Sequence, residues 1–250
     1  RTASLFAAPA LDRLLSGIRA RLALHPDAEI TLEANPGSAE QERFAGYRDA
    51  GVNRLSIGIQ SLNDSHLNAL GRVHDAEQSF RAVRAARVAG FDNINLDLMF
   101  GLPDQDSAAA RADLESALAL QPEHLSWYQL TLEPNTRFHA DPPVLPDEDE
   151  IGTMQTLGQT VFASHGYTQY EVSAFARAGQ QCRHNLNYWQ FGDYIGIGAG
   201  AHGKITDAAS GSVFRRWKKR HPRAYLEASG PTAYLEGART LSESEIVFEY

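Results

Sequence analysis

Asn93-Ile94-Asn95-Leu96-Asp97-Leu98-Met99 alternates polar and apolar side chains at every step and carries a carboxylate near its C-terminal end. Three further stretches repeat the scheme: Glu29 to Asn35, Val52 to Gln60 and Leu125 to Glu133. Side chains along a strand point to opposite faces with a period of two, so each stretch divides into two rows. One row reads Ile30, Leu32, Ala34; Leu55, Ile57, Ile59; Ile94, Leu96, Leu98; and Tyr128, Leu130, Leu132. The other reads Thr31, Glu33, Asn35; Ser56, Gly58, Gln60; Asn93, Asn95, Asp97; and Trp127, Gln129, Thr131, Glu133.

Alternation by itself fits an antiparallel sheet with one wet face. The segments between the strands argue otherwise. Ser38 to Ala50 reads as a helix, with Ser38 and Gln41 in capping-box positions and Gly51 at the stop. Asp64 to Gly90 reads as a short helix followed by a longer one opened by Asp75 and Gln78, and Ser107 to Leu120 as an alanine-rich helix before Pro122. Strand and helix in alternation give parallel strands with right-handed crossovers. The apolar row then packs beneath helices, and the polar row faces a second interior. The expected fold is α/β, a partial (β/α) barrel whose lumen takes a polar ligand.

The 250 residues suffice for one large core or two modest ones, and 43% hydrophobic content is that of a globular chain. No stretch is long and apolar enough to cross a bilayer, and Arg1 to Ala10 lacks the pattern of a signal peptide. A net charge of −8 speaks against a general nucleic-acid surface, and the basic run Arg215 to Arg220 reads as a solvated face. The single cysteine, Cys182, excludes an internal disulfide and fits a cytoplasmic setting. It equally excludes an iron–sulfur cluster held on three or four thiolates of this chain. The chain opens on a helix, Pro9 to Leu24, and closes at Ser242 and Glu245, a capping box that starts another. A parallel barrel with four strands is not closed, so the expectation is that its first strands are missing and both ends are truncated. Asp207 to Gly211 is small and flexible, which sets the expected division at residues 1–206 and 207–250.

In parallel barrels the ligand sits at the C-terminal ends of the strands. Glu33, Gln60, Asp97 and Thr131 stand near such ends, and Arg72, in Leu70-Gly71-Arg72-Val73-His74, can reach over the same mouth. A ribose diol calls for an acceptor such as Asp97, an ammonium for Glu33, and a carboxylate for the fork of Arg72.

Four motifs, in chain order, resemble those of the radical S-adenosylmethionine (SAM) family that contains oxygen-independent coproporphyrinogen III oxidase. They are Glu33-Ala34-Asn35-Pro36, Arg54-Leu55-Ser56-Ile57-Gly58-Ile59-Gln60-Ser61, Leu70-Gly71-Arg72-Val73-His74 and Asp97-Leu98-Met99-Phe100-Gly101-Leu102-Pro103. The resemblance implies that Glu33, Gln60, Arg72 and Asp97 contact SAM and that Thr131 lies against its adenine. Arg183-His184-Asn185-Leu186-Asn187-Tyr188-Trp189, with the glycine-rich Gly192 to His202, resembles the haem-chaperone branch of that family. That likeness implies haem held by His184, Tyr188 and Trp189, with His184 as an iron ligand, and delivery to haem-accepting proteins, membrane-associated ones included. The glycines are expected to let backbone approach the ligand.

The chain departs from the family in one respect. The C-x3-C-x2-C loop for the [4Fe-4S] cluster is absent, and Arg1-Thr2-Ala3-Ser4-Leu5-Phe6 stands where a glycine-rich element is expected. This polypeptide alone is therefore expected to make no radical. The alternative within the family is a coproporphyrinogen III oxidase of porphyrin biosynthesis. Outside it, Glu33 and Asp97 as the acid–base pair of a hydrolase would leave Arg72 and the Arg183 to Trp189 run without a role.

Overall fold

The structure, a computed structural model, describes residues 6–37, 41–230 and 232–248. Ser38, expected to cap a helix, and Arg1 to Leu5 of the Arg1 to Phe6 stretch expected in the glycine-rich position lie outside them. The chain forms two compact units, Arg1–Cys182 and Arg183–Tyr250.

The first unit begins with α1 (Ala8–Arg19), which has a proline in its first turn. It is followed by β1 (Thr31–Ala34), α2 (Phe44–Ala50) and β2 (Arg54–Gln60). Gly51, at φ 102°, takes the left-handed position that ends α2. Next come α3 (Asp64–Ala69) and α4 (Ala76–Val88), the latter opened by the capping box of Asp75 and Gln78. Then follow β3 (Ile94–Phe100), α5 (Ser107–Ala119), β4 (His124–Gln129), α6 (Arg137–Ala140) and α7 (Glu148–Ser164), and finally β5 (Thr168–Gln169) and β6 (Ala174–Ala176). The sheet order is β1-β2-β3-β4-β6-β5. Its first four strands are parallel, as the strand–helix alternation requires, while β6 pairs antiparallel with both β4 and β5.

The apolar rows of β1 to β3 form the core as expected. Leu32, Leu55, Ile57, Ile59, Ile94, Leu96 and Leu98 are buried beside Phe44, Tyr47, Val83, Leu114 and Phe162. In β4 the two rows are the reverse of the expected ones. Leu96 pairs with Leu125 and Leu98 with Trp127, so Trp127 belongs to the core face. Its indole lies 4.2 Å from the Phe100 ring and 5.8 Å from Phe162. On α7, a Cβ at Gly158 would stand 1.9 Å from that indole, so glycine is what lets helix and ring meet. Asp97 pairs with Ser126 and Met99 with Tyr128, which places His124, Ser126 and Tyr128 on the polar face. The strand stops at Gln129, so Thr131 and Glu133 lie beyond the sheet.

The second unit holds α8 (Arg183–Trp189), β7 (His202–Thr206), β8 (Val213–Lys218), α9 (Pro222–Leu226), β9 (Leu235–Thr240) and α10 (Glu243–Phe248). Its three strands form one antiparallel sheet, β7-β8-β9. The stretch Asp207 to Gly211, read above as a boundary, is the turn between β7 and β8. Asp207 N–H donates to the Ser212 carbonyl and Gly211 N–H to that of Asp207, each at 2.8 Å. Asp207 therefore lies within one folded unit, and the division between the units falls after Cys182. The basic run is likewise part of strand β8 and its continuation. Gly192, Gly196 and Gly203 lie in close contact within the protein itself: a Cβ at Gly196 would meet the His202 carbonyl oxygen at 1.9 Å. Ser242 and Glu245 form the expected cap at α10, with Ser242 N–H donating to Glu245 Oε2 at 2.9 Å.

Candidate functional site

The polar face of β1 to β4 is a closed hydrogen-bonded network centred on Asn95, which is 2% exposed. Its Nδ2 donates to Ser56 Oγ and to Asp97 Oδ1, each at 2.8 Å. Its Oδ1 accepts from Ser126 at 3.2 Å and faces His124 Nδ1 at 2.6 Å. Only a protonated Nδ1 can use that acceptor, so Nε2 is the atom that accepts from the Tyr170 hydroxyl at 2.7 Å. Tyr170 in turn accepts from the backbone N–H of Cys182 at 3.2 Å. Burial and the nearby charge of Arg54 hold His124 down at about 3, so it is neutral at physiological pH. Burial raises the Asp97 carboxyl, opposed by hydrogen bonds from Asn95, Ser126 and Ser56 and by the charge of Arg54. Arg54 itself is 3% exposed, and among the described residues its Nε has no hydrogen-bond partner.

Gln60 closes β2 at φ 71°, a left-handed conformation that costs a non-glycine residue about 1–3 kcal/mol. The register slips between Ile57 and Gln60, and this irregularity re-aims the amide. Its Oε1 accepts from the Tyr128 hydroxyl at 2.6 Å. On one side, Ser61 and the N–H of Leu62 donate to the buried Asp113 at 2.6 and 2.8 Å. On the other, the His74 imidazole reaches the Ile59 carbonyl at 3.0 Å and pins the loop that carries Arg72. Burial lowers His74, partly offset by that backbone bond.

Tyr128 is the point on which the expected residues converge. Burial and then Asp97 push its hydroxyl up to about 12, with Arg72 and the Gln60 bond acting downward and Glu33 upward. Glu33, Gln60, Arg72 and Asp97, which lie in three strands and a loop, thus all bear on the charge of one phenol, Gln60 through a direct hydrogen bond. Glu33 and Arg72 are exposed, Gln60 is buried and Asp97 half-buried. Thr131 is exposed beyond β4, with its hydroxyl on Glu133 at 2.9 Å. Sequence reasoning missed Tyr128, His124, Ser126 and Arg54. Replacing Tyr128 with phenylalanine orphans a buried amide oxygen and is expected to cost about 1–2 kcal/mol. Urea denaturation measures it, and an unchanged midpoint would contradict the assignment.

The second unit presents a different surface. In α8 the His184 ring lies 4.8 Å from Tyr188, edge to face, and Tyr188 lies 4.9 Å from Tyr194. Among the described residues the His184 imidazole makes no hydrogen bond, and it is exposed. Tyr188 and Trp189 are 48% and 46% exposed. His184 and Tyr188, four residues apart, share a helix face, whereas Trp189 is turned well away from them. Burial and the Tyr194 hydroxyl raise the Tyr188 phenol.

A family profile described as the Radical SAM superfamily matches residues 6–116. The "Heme chaperone HemW" of Escherichia coli is 51% identical over 249 residues, covering 100% of this chain and 65% of that protein. The protein of the same name from Bacillus subtilis is 42% identical over 71% of this chain and 48% of its own length. The mouse "Radical S-adenosyl methionine domain-containing protein 1, mitochondrial" is 42% identical over 86% of this chain and 49% of its own. The chain thus spans just under two thirds of the first of these curated relatives, and about half of the other two. Among solved structures, coproporphyrinogen III oxidase (HemN) of Escherichia coli aligns with TM-score 0.81 at 21% identity, over 99% of this chain and 59% of that one, which shows a shared fold. From residue 6 onward the strand motifs, the polar face they build and half-identity along the whole length agree: the chain is similar to the radical SAM superfamily, and within it to the HemW proteins.

Proposed function

We propose that the protein is a cytoplasmic haem chaperone, holding haem on α8 and passing it to acceptor proteins, membrane-associated ones among them. The observation that carries this reading is the exposed, unbonded imidazole of His184 beside the flat ring of Tyr188. A neutral imidazole binds haem iron, and an aromatic face packs against the macrocycle. An open site of this kind suits a carrier, because an acceptor can reach the iron while the porphyrin is still held. Among the described residues no helix is long and apolar enough to cross a membrane.

The polar face fits SAM. Asp97 offers acceptors for a ribose diol, Glu33 for the ammonium and Arg72 a fork for the carboxylate, and Gln60 and Tyr128 set the geometry between them. When bound, SAM would occupy the mouth of this sheet. The [4Fe-4S] cluster does not fit the residues present: Cys182 is the one thiol of the chain, and its Sγ donates to Glu29 Oε1 at 3.4 Å.

Titration with ferric haem, followed at the Soret band, tests the reading. His184→Ala is expected to weaken binding about tenfold, the loss of one ligand bond of about 1.4 kcal/mol. Equal binding by both proteins would remove His184 from the site.

A further inference from the structure

One carboxylate of the first unit sits where a core-facing helix ordinarily carries an apolar side chain. Helix α5 buries Ala110, Asp113, Leu114, Ala117 and Leu118, and all of these but Asp113 belong to the hydrophobic core. Asp113 is 5% exposed, and burial raises its carboxyl against the bonds from Ser61 and Leu62 and the charge of His66. A carboxylate in such a place is costly unless its oxygens are bonded. Both are: Oδ2 accepts from the Ser61 hydroxyl at 2.6 Å and Oδ1 from the Leu62 N–H at 2.8 Å. Ser61, itself fully buried, accepts in turn from the Asn63 N–H at 3.0 Å. What the carboxylate fixes is therefore the first two residues after β2.

Those two residues follow Gln60, whose φ of 71° is an uphill conformation for any residue with a Cβ. Its carboxamide folds back over the strand that it ends. A Cβ at Gly58 would stand 2.9 Å from Gln60 Nε2, so the amide fills the space a side chain at 58 would take. Upstream, the Ile59 carbonyl is held by His74 at 3.0 Å; downstream, the hold is Asp113. Without the downstream hold the backbone at Gln60 relaxes toward negative φ, and the amide swings off Gly58.

We infer that Asp113 is a positioning residue of the SAM site: from the core it holds Ser61 and Leu62 so that Gln60 keeps its left-handed conformation and its amide stays on the polar face. The role rests on the SAM reading above and adds to it a residue that touches no ligand. In a released loop the left-handed state is disfavoured about tenfold. Loss of the clamp then leaves about one site in ten competent, and apparent affinity falls by the same factor.

Calorimetric titration of the whole chain with S-adenosylmethionine tests this, using Asp113→Ala, Asp113→Asn, Gln60→Ala and the double variant Asp113→Ala with Gln60→Ala. Far-UV circular dichroism checks that each variant is folded. Asp113→Ala is expected to weaken binding about tenfold. Asp113→Asn should regain most of that, since its amide can still accept from Leu62 and donate to Ser61. Once Gln60 is alanine, loss of Asp113 should cost no further affinity, because both substitutions remove the same contact. A substitution that merely loosened the fold would weaken binding with or without Gln60. Should Asp113→Ala not fold, Ser61→Ala removes one of the two bonds and is expected to weaken binding about threefold in the same comparison. Unchanged affinity in folded Asp113→Ala, or an equal loss when Gln60 is already alanine, would overturn the inference and leave SAM binding intact. No binding by the unaltered protein, or binding indifferent to Gln60→Ala, would overturn the SAM reading and this inference with it.

Discussion

On acidification from pH 6.5 to 4, the first unit is expected to lose about 3 kcal/mol of stability through His124 alone. The residue is 1% exposed and is held down at about 3 in the fold, against 6.5 in an unfolded chain. Between those values the unfolded state binds a proton that the folded state refuses. Stability therefore falls as the pH drops through 6.5, and the loss saturates near 3. His74 is lowered by burial too and acts in the same sense. Asp97 and Asp113, raised by burial, act in the opposite sense, since the folded state takes up their protons first. The clean observable is thus the difference between the unaltered protein and His124→Gln, measured by urea midpoints across this range. A difference that stays constant with pH would show that His124 is not the group excluded from protonation.

Asn95→Leu is expected to cost about 3–5 kcal/mol, although the side chains are similar in size. The amide satisfies four partners at once: Ser56, Asp97, His124 and Ser126. Removing it orphans the His124 Nδ1–H, leaves the Ser126 hydroxyl only Asp97 as acceptor, and takes one of the bonds that offset the burial of Asp97. Each buried polar group left unsatisfied costs about 1–3 kcal/mol. Calorimetry or urea unfolding at pH 7 measures the total. A loss under about 1 kcal/mol would mean that water replaces the amide and that the network is not closed.

The rows of β1, β2 and β3 were legible because their side chains are unambiguous: Leu and Ile on one face, Glu, Ser, Asn and Asp on the other. Strand β4 was misread because Trp127 and Tyr128 are both amphipathic, and alternation cannot rank them. Beginning the row at His124, four residues earlier, His124, Ser126 and Tyr128 stand out as its polar side, and that signal was present. The converging role of Tyr128 follows from this register and was invisible without it. Strands β5 and β6 have only two or three residues each, too few for a period. The Asp207 to Gly211 stretch shows a different limit. Small polar residues with a glycine describe a linker and a hairpin turn equally well, and only the pairing of β7 with β8 separates the two. Within the glycine-rich stretch, Gly196 lets its backbone lie against that of His202, a contact between residues six apart that composition does not reveal.

The placement of Glu33, Gln60 and Asp97 at or near strand ends was legible because parallel sheets gather their loops at one end, whereas Thr131 lies beyond β4. The buried Arg54 was overlooked because an arginine opening a strand normally reads as a solvent-facing charge. Its burial on the same face as Asp97 and His124 shows how far the polar face extends toward the N-terminal ends of the strands.

The haem assignment to α8 is tested most directly by electron paramagnetic resonance of the chain loaded with ferric haem, compared with His184→Ala and with that variant plus free imidazole. The account predicts a nitrogen-ligated iron signal that is lost on substitution and restored by imidazole. The same signal from both proteins before imidazole is added would contradict it.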